Sequence, residues 1–227
     1  MMASQSRYRR SPGGRRPSGQ PLTLDVLGGA YGGRMVARHE NQVVFVQGSM
    51  PGESVRAEIT AEKKTFAEAR AVRIITAAAG RAVPPCAYFG ENGYNRGAVP
   101  IGNDLPGERG ACGGCQYQHL DYETQLALKR NIVADLMRRQ ARLPDLEVTP
   151  AIASPSPWRY RNRARWILDT AGLPCYHQAA SGHLLPVDAC HIVQPILEEV
   201  LGRLADPAWR LPLRTLVSEI TARTATR

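Results

Sequence analysis

Residues 22–75 alternate apolar and polar side chains in short runs broken by glycine- and proline-rich turns, and this pattern narrows the fold more than any other feature of the chain. Leu22, Leu24 and Val26 alternate with Thr23 and Asp25, as on a strand with one face buried. Gly28-Gly29-Ala30-Tyr31-Gly32-Gly33 reads as a turn, followed by strand candidates at Arg34–Arg38 and Val43–Gln47. In Met50-Pro51-Gly52-Glu53, proline fixes one backbone angle and glycine admits the reversed one. Val55, Ala57 and Ile59 resume the alternation, Lys63-Lys64 marks a hairpin tip, and Phe66 to Ile75 forms a last strand. Five short strands in about sixty residues predict a small closed barrel of OB type. The glycine run is not a cofactor loop. G-x-G-x-x-G would need glycine at position 30, and Met35 to Asn41 provides no amphipathic helix to face a ligand.

The rest of the chain is mixed. Residues 79–120 are irregular. Asp121 caps a helix through Gln140, with Tyr122, Leu126, Val133 and Met137, joined by Ile132 and Leu136, as its packing face. Pro144 to Pro157 is a proline-punctuated link, and Trp158 to Asp169 reads as a strand. A second helix begins at Pro195, with Ile196, Leu197, Val200, Leu201 and Leu204 as its apolar stripe. Arg214 to Arg227 begins like a strand and stops with no closing element.

The net charge of +9 suits a polyanionic partner. Residues 1–20 hold Arg7, Arg9, Arg10, Arg15 and Arg16 and no acid, so the other 207 residues carry only +4. That tail reads as a disordered basic arm with weak nonspecific attraction to nucleic acid, or with no role. It lacks the apolar block of a secretory signal. No run approaches a membrane span, so no membrane partner is expected, and the chain reads as cytoplasmic. Only Lys63, Lys64 and Lys129 are lysines. Arginine suits phosphate forks and base stacking, although codon composition explains much of the bias.

Five cysteines, an odd number, without a secretion signal argue against a disulfide framework. Cys112-Gly113-Gly114-Cys115 lets two sulfurs face one metal centre, and its glycines let the backbone wrap closely and aim N–H groups at sulfur. Cys86 and Cys190 are the available partners for a four-ligand site, and ordinary packing suits Cys175. Spacing alone leaves zinc and iron–sulfur both open, although zinc sites commonly use two C-x-x-C pairs and only one is present.

In Trp158-Arg159-Tyr160-Arg161-Asn162-Arg163-Ala164-Arg165-Trp166, every odd position from 159 to 165 is arginine. On a strand, one face would carry four guanidiniums and the other Trp158, Tyr160, Asn162, Ala164 and Trp166. RNA phosphates or unpaired bases would relieve the repulsion among them. The bland alternative is a charged, solvated edge strand. Arg159, Tyr160, Arg161, Asn162, Arg163 and Arg165 are therefore candidate RNA contacts, Arg163 and Arg165 foremost. Lys63 and Lys64 are weaker candidates, since an exposed lysine pair is usually just a solvated tip.

Several of these segments together resemble a known family. Leu24…Gly32-Gly33…Val43-Val44-Phe45-Val46 and Pro51-Gly52-Glu53-Ser54-Val55 resemble a TRAM domain. Pro85-Cys86-Ala87-Tyr88-Phe89-Gly90, Cys112 to His119, Tyr122…Gln125…Lys129-Arg130 and Tyr160 to Arg163 continue the likeness in order. Over roughly residues 20–205 the chain resembles the class I RNA (uracil-C5-)-methyltransferases, which act on rRNA or tRNA. The resemblance implies a [4Fe–4S] cluster on Cys86, Cys112, Cys115 and Cys190, an RNA partner, and no role for DNA. It gives Cys175 no counterpart. It also implies a later S-adenosylmethionine-binding domain that carries the catalytic thiolate. No such domain is recognised before Arg227, so no catalytic residue is assigned and the chain alone is expected to be inactive. Between Cys86 and Cys112 lie 25 residues, more than in the family's motif; Ala87 to Ala111 reads as an exposed loop insertion, which costs little entropy.

The expectation is an α+β chain. Residues 1–20 form a basic tail, 21–78 an OB-like TRAM barrel, 79–145 an iron–sulfur segment with a helix, and 146–227 a partial β-rich central domain. The competing expectations are a stand-alone non-enzymatic RNA-binding module and a zinc-stabilised RNA-binding protein.

Overall fold

A computed structural model describes residues 21–90, 112–179 and 181–225. The basic tail and most of the proposed loop insertion lie outside them.

Five strands, β1 (Leu22–Gly29), β2 (Met35–His39), β3 (Gln42–Gln47), β4 (Ser54–Glu62) and β5 (Phe66–Thr76), close a barrel in the order β1-β2-β3-β5-β4. β3 and β5 pair in parallel; the other pairs are antiparallel. Alternation sends Leu24, Val26, Met35, Val44, Val46 and Val55 inward, and Ala67, Ala69 and Ala71 on β5 keep the interior narrow. Glu40 and Asn41 both have positive φ (45° and 67°), the signature of a two-residue type I′ hairpin between β2 and β3. Gly52, at φ 86°, closes the Pro51-Gly52 turn as its composition predicts.

Helix α1 (Tyr122–Arg139) starts where expected, with the Asp121 carboxylate accepting from the Thr124 N–H at 2.7 Å. Its packing face differs from the sequence reading. Leu128 and Ile132 are buried, with Leu136 beside them, whereas Val133 is exposed and Tyr122, Leu126 and Met137 are only half-buried. This face lies over Gly29 on β1. A Cβ there would lie 2.5 Å from Leu128 Cδ1 and 3.1 Å from Ile132 Cδ1, so a larger residue would push these two side-chain tips aside.

A buried clamp joins the barrel to the cysteine segment. The strip at Arg81 bridges Leu120, with Ala82 N–H donating to His119 O (3.0 Å) and Asp121 N–H to Gly80 O (2.9 Å). From this strip Arg81 reaches back to the barrel turn. It forms a two-pronged pair with the fully buried Glu53 carboxylate and donates to Gly48 O. His119 Nε2 donates to Ser49 O at 2.9 Å, and its ring lies against Phe89. Burial, helped by the Arg81 charge, lowers the His119 pKa from 6.5 to about 4. The unfolded chain therefore takes up a proton that the folded chain refuses. Stability should fall as pH drops from 6.5 toward 4, by up to about 1.4 kcal/mol per pH unit. Urea titrations at pH 6.5 and 5 check this. His119→Gln, which can still donate to Ser49, should flatten the slope, and an unchanged slope would contradict it.

A second sheet, in the order β8-β7-β6-β9, contains β6 (Arg163–Leu168), β7 (Pro174–His177), β8 (Leu184–Pro186) and β9 (Glu219–Arg223). Helix α2 (Pro195–Ala205) buries Leu197, Leu201 and Leu204 against Trp166, while Ile196 from the predicted stripe faces out. A short helix α3 (Pro207–Leu213), not foreseen because two prolines punctuate it, leads to β9. β9 pairs along β6, so the chain's last stretch does close an element. No helix among the described residues is long and apolar enough to cross a membrane.

Candidate metal and RNA site

A cavity of about 590 Å³ opens between the barrel, the cysteine segment and the second sheet. Cys86, Cys112, Cys115 and Cys190 all line it, although 103 residues lie between the first and the last. Backbone pairing accounts for the convergence. Cys112 N–H donates to Tyr88 O (2.9 Å) and Gly113 N–H to His177 O (2.9 Å), tying the C-x-x-C loop between residue 88 and the end of β7. A Cβ at Gly113 would lie 3.1 Å from His177 O, so a side chain there would push the strap outward. Gly114 N–H points at Cys112 Sγ, 3.4 Å away. The Tyr88 hydroxyl donates to Asp188 Oδ1 (2.6 Å) and accepts from Asp188 N–H (3.2 Å), which holds Cys86 and Cys190 on neighbouring strands of loop. Gln118 Oε1 accepts from Cys86 N–H, and Glu198 in the first turn of α2 accepts from Cys190 N–H, both at 3.4 Å.

All five cysteines are free thiols. Burial pushes the Cys112 thiol up to about 11, and Cys115, Cys190 and Cys86 add to the shift. Burial also raises Cys86 and Cys115, while the Arg161 guanidinium pulls Cys115 the other way. Such a group holds its protons until a positive centre displaces them. Among the described residues no set of three or more His, Cys, Asp or Glu is arranged to hold a metal ion. Four uncrosslinked thiols nevertheless line one cavity, and thiolates ligate both structural zinc and iron–sulfur clusters. Cys175 stands apart. It is buried on β7, its thiol donates to Leu173 O at 3.3 Å, and it does not line the cavity.

The arginine run divides. The strand begins at Arg163, not Trp158, because Arg159 adopts φ 56° and residues 159–161 pair instead with the 191–193 segment. Arg159 is paired with Glu198 at 2.5 Å. Arg161 lines the cysteine cavity beside His177 and His191. Arg163 and Arg165 extend from the exposed face of β6 while Ala164 and Trp166 point inward; Arg165 also meets Glu219 on β9 at 3.0 Å. Tyr160 and Asn162 are exposed rather than packed. Lys63 and Lys64 sit exposed at the β4–β5 turn, and neither lines the cavity. The positioning roles of Tyr88, Asp188 and Gln118 carried no signal in their spacing, nor did the presence of Arg34 and Arg70 on the barrel wall of the cavity.

Residues 15–72 match the TRAM domain family. The chain is 33% identical, over 88% of its length and 39% of the relative's, to the 23S rRNA (uracil(1939)-C(5))-methyltransferase RlmD of Pectobacterium atrosepticum. It is 34% identical to the RlmD of Chromohalobacter salexigens, over 81% of this chain and 34% of that protein. A solved structure, the tRNA (uracil-54, C5)-methyltransferase of Pyrococcus abyssi in complex with S-adenosyl-L-homocysteine, aligns with a TM-score of 0.48. That alignment has 20% identity and covers 80% of this chain and 35% of that one. The chain thus spans roughly two fifths of the length of the curated relatives it matches.

Proposed function

We propose that this chain, which carries a TRAM domain and is homologous over most of its length to RNA uracil-C5-methyltransferases, is the RNA-gripping, cluster-bearing portion of such an enzyme. The observation that carries the reading is the gathering of Cys86, Cys112, Cys115 and Cys190 around one cavity that also holds Arg161. These four residues would hold a [4Fe–4S] cluster, which in this reading pins residues 86–90, 112–119 and 188–193 together beside the RNA surface. Methyl transfer to rRNA or tRNA uracil, with S-adenosylmethionine as donor, is in this reading the reaction of the enzyme that this portion serves, and no residue described here is assigned a catalytic step.

RNA binding is assigned first to Arg163 and Arg165, whose guanidiniums share the open face of β6. Arg161 lines the cavity, Tyr160 and Asn162 are exposed on either side of it in the chain, Arg159 is held by Glu198, and Lys63 and Lys64 contribute at most from the barrel tip. Replacing both Arg163 and Arg165 by alanine should weaken binding of a structured rRNA fragment. It should also flatten the plot of log K against log salt by about one unit for each phosphate that is no longer neutralised. Filter binding at several salt concentrations measures this, and an unchanged slope and affinity would reject the assignment.

A further inference from the structure

Two polar atoms in the second core have no partner among the described residues. They are Trp166 Nε1, on a side chain with no exposed surface, and the Tyr176 hydroxyl. A buried donor left unmade costs about 1–3 kcal/mol, so a pair in one core calls for a physical reason. Ile167 pairs with Cys175 across β6 and β7, a register that sets Trp166 opposite Tyr176. Tyr176 and Cys190 both pack against the Trp166 core, and both line the cysteine cavity.

We propose that Tyr176 donates its hydroxyl hydrogen to the Cys190 thiolate, with the Trp166 indole N–H donating in turn to the tyrosine oxygen. The relay is a positioning and tuning device for one sulfur ligand, and it rests on the cluster reading above. A thiolate ligand would accept a charge-assisted bond and complete the chain of donors.

Hydrogen bonds to sulfur favour the reduced form of an iron–sulfur cluster and so raise its potential. Tyr176→Phe keeps the ring and removes the donor. In anaerobically purified protein it should retain wild-type iron content, while the redox equilibrium shifts toward the oxidised form by roughly tenfold, about 59 mV for one electron. Site-specific 3-fluorotyrosine at position 176, a stronger donor, should shift the potential the opposite way, and it decides the matter if the phenylalanine variant fails to load iron. A shift in opposite directions supports the relay. Equal potentials in iron-loaded wild-type, Tyr176→Phe and fluorotyrosine proteins would overturn it with the cluster reading intact. A wild-type protein that binds no iron would overturn both.

Discussion

Cys112→Ser should leave the anaerobically purified chain nearly colourless, with its iron content reduced by about tenfold or more. Removing a residue that only orients a metal ligand already costs 10–100-fold in metal affinity. Cys112 would be a ligand itself, and the backbone is built around its sulfur. Its N–H is held by Tyr88 O, its loop is strapped to His177 O, and the Gly114 N–H is aimed at its Sγ. A serine hydroxyl in that position would keep the backbone bonds but would ionise far less readily than a thiol. Cys175→Ser is the matched control. That thiol is equally free but lies outside the cavity, so iron content should not change. Iron and visible absorbance per chain, compared across wild type and the two variants, check the prediction. Equal iron in Cys112→Ser and wild type would remove Cys112 from the ligand set.

Glu53→Ala should destabilise the fold by about 3–5 kcal/mol, the range for removing one partner of a buried ion pair. The Glu53 side chain has no exposed surface, and it accepts from the Met50 N–H (2.9 Å) as well as from both prongs of Arg81. Alanine would strand the Met50 N–H and leave the Arg81 guanidinium, 13% exposed, to the Gly48 carbonyl and its remaining neighbours. A loss of this size is a large share of the 5–15 kcal/mol typical of a domain. The denaturant midpoint should fall with little change in slope. Because the clamp sets Cys86 and Cys112 against the barrel, their thiols should also react faster with an alkylating probe in metal-free protein. A midpoint within about 1 kcal/mol of wild type would contradict the clamp.

The barrel was legible because period-2 alternation and local turn chemistry specify it residue by residue. Pro51-Gly52 and the inward Leu24, Val26, Val44 and Val55 needed no distant information. The start of α1 was legible for the same reason, since Asp121 caps it through Thr124 three residues away. The face of that helix was not. Apolar residues lie on more than one side, and the side that is buried is the one that packs on a barrel wall almost a hundred residues earlier, around Gly29. The arginine alternation was visible, but where the strand begins was not. Arg159 turns away at positive φ to pair with His191, a partner with no local signature. For the cysteines, C-x-x-C announces itself by spacing. Cys190 reaches the same cavity through a tyrosine–aspartate hydrogen bond between residues 88 and 188, which no sequence period encodes.

Iron and acid-labile sulfide, measured per chain in wild-type protein purified without oxygen, test the central assignment most directly. Four thiols sharing one [4Fe–4S] core predict about four of each. Stoichiometric zinc without sulfide, or iron that persists undiminished when Cys190 is replaced by alanine, would contradict it.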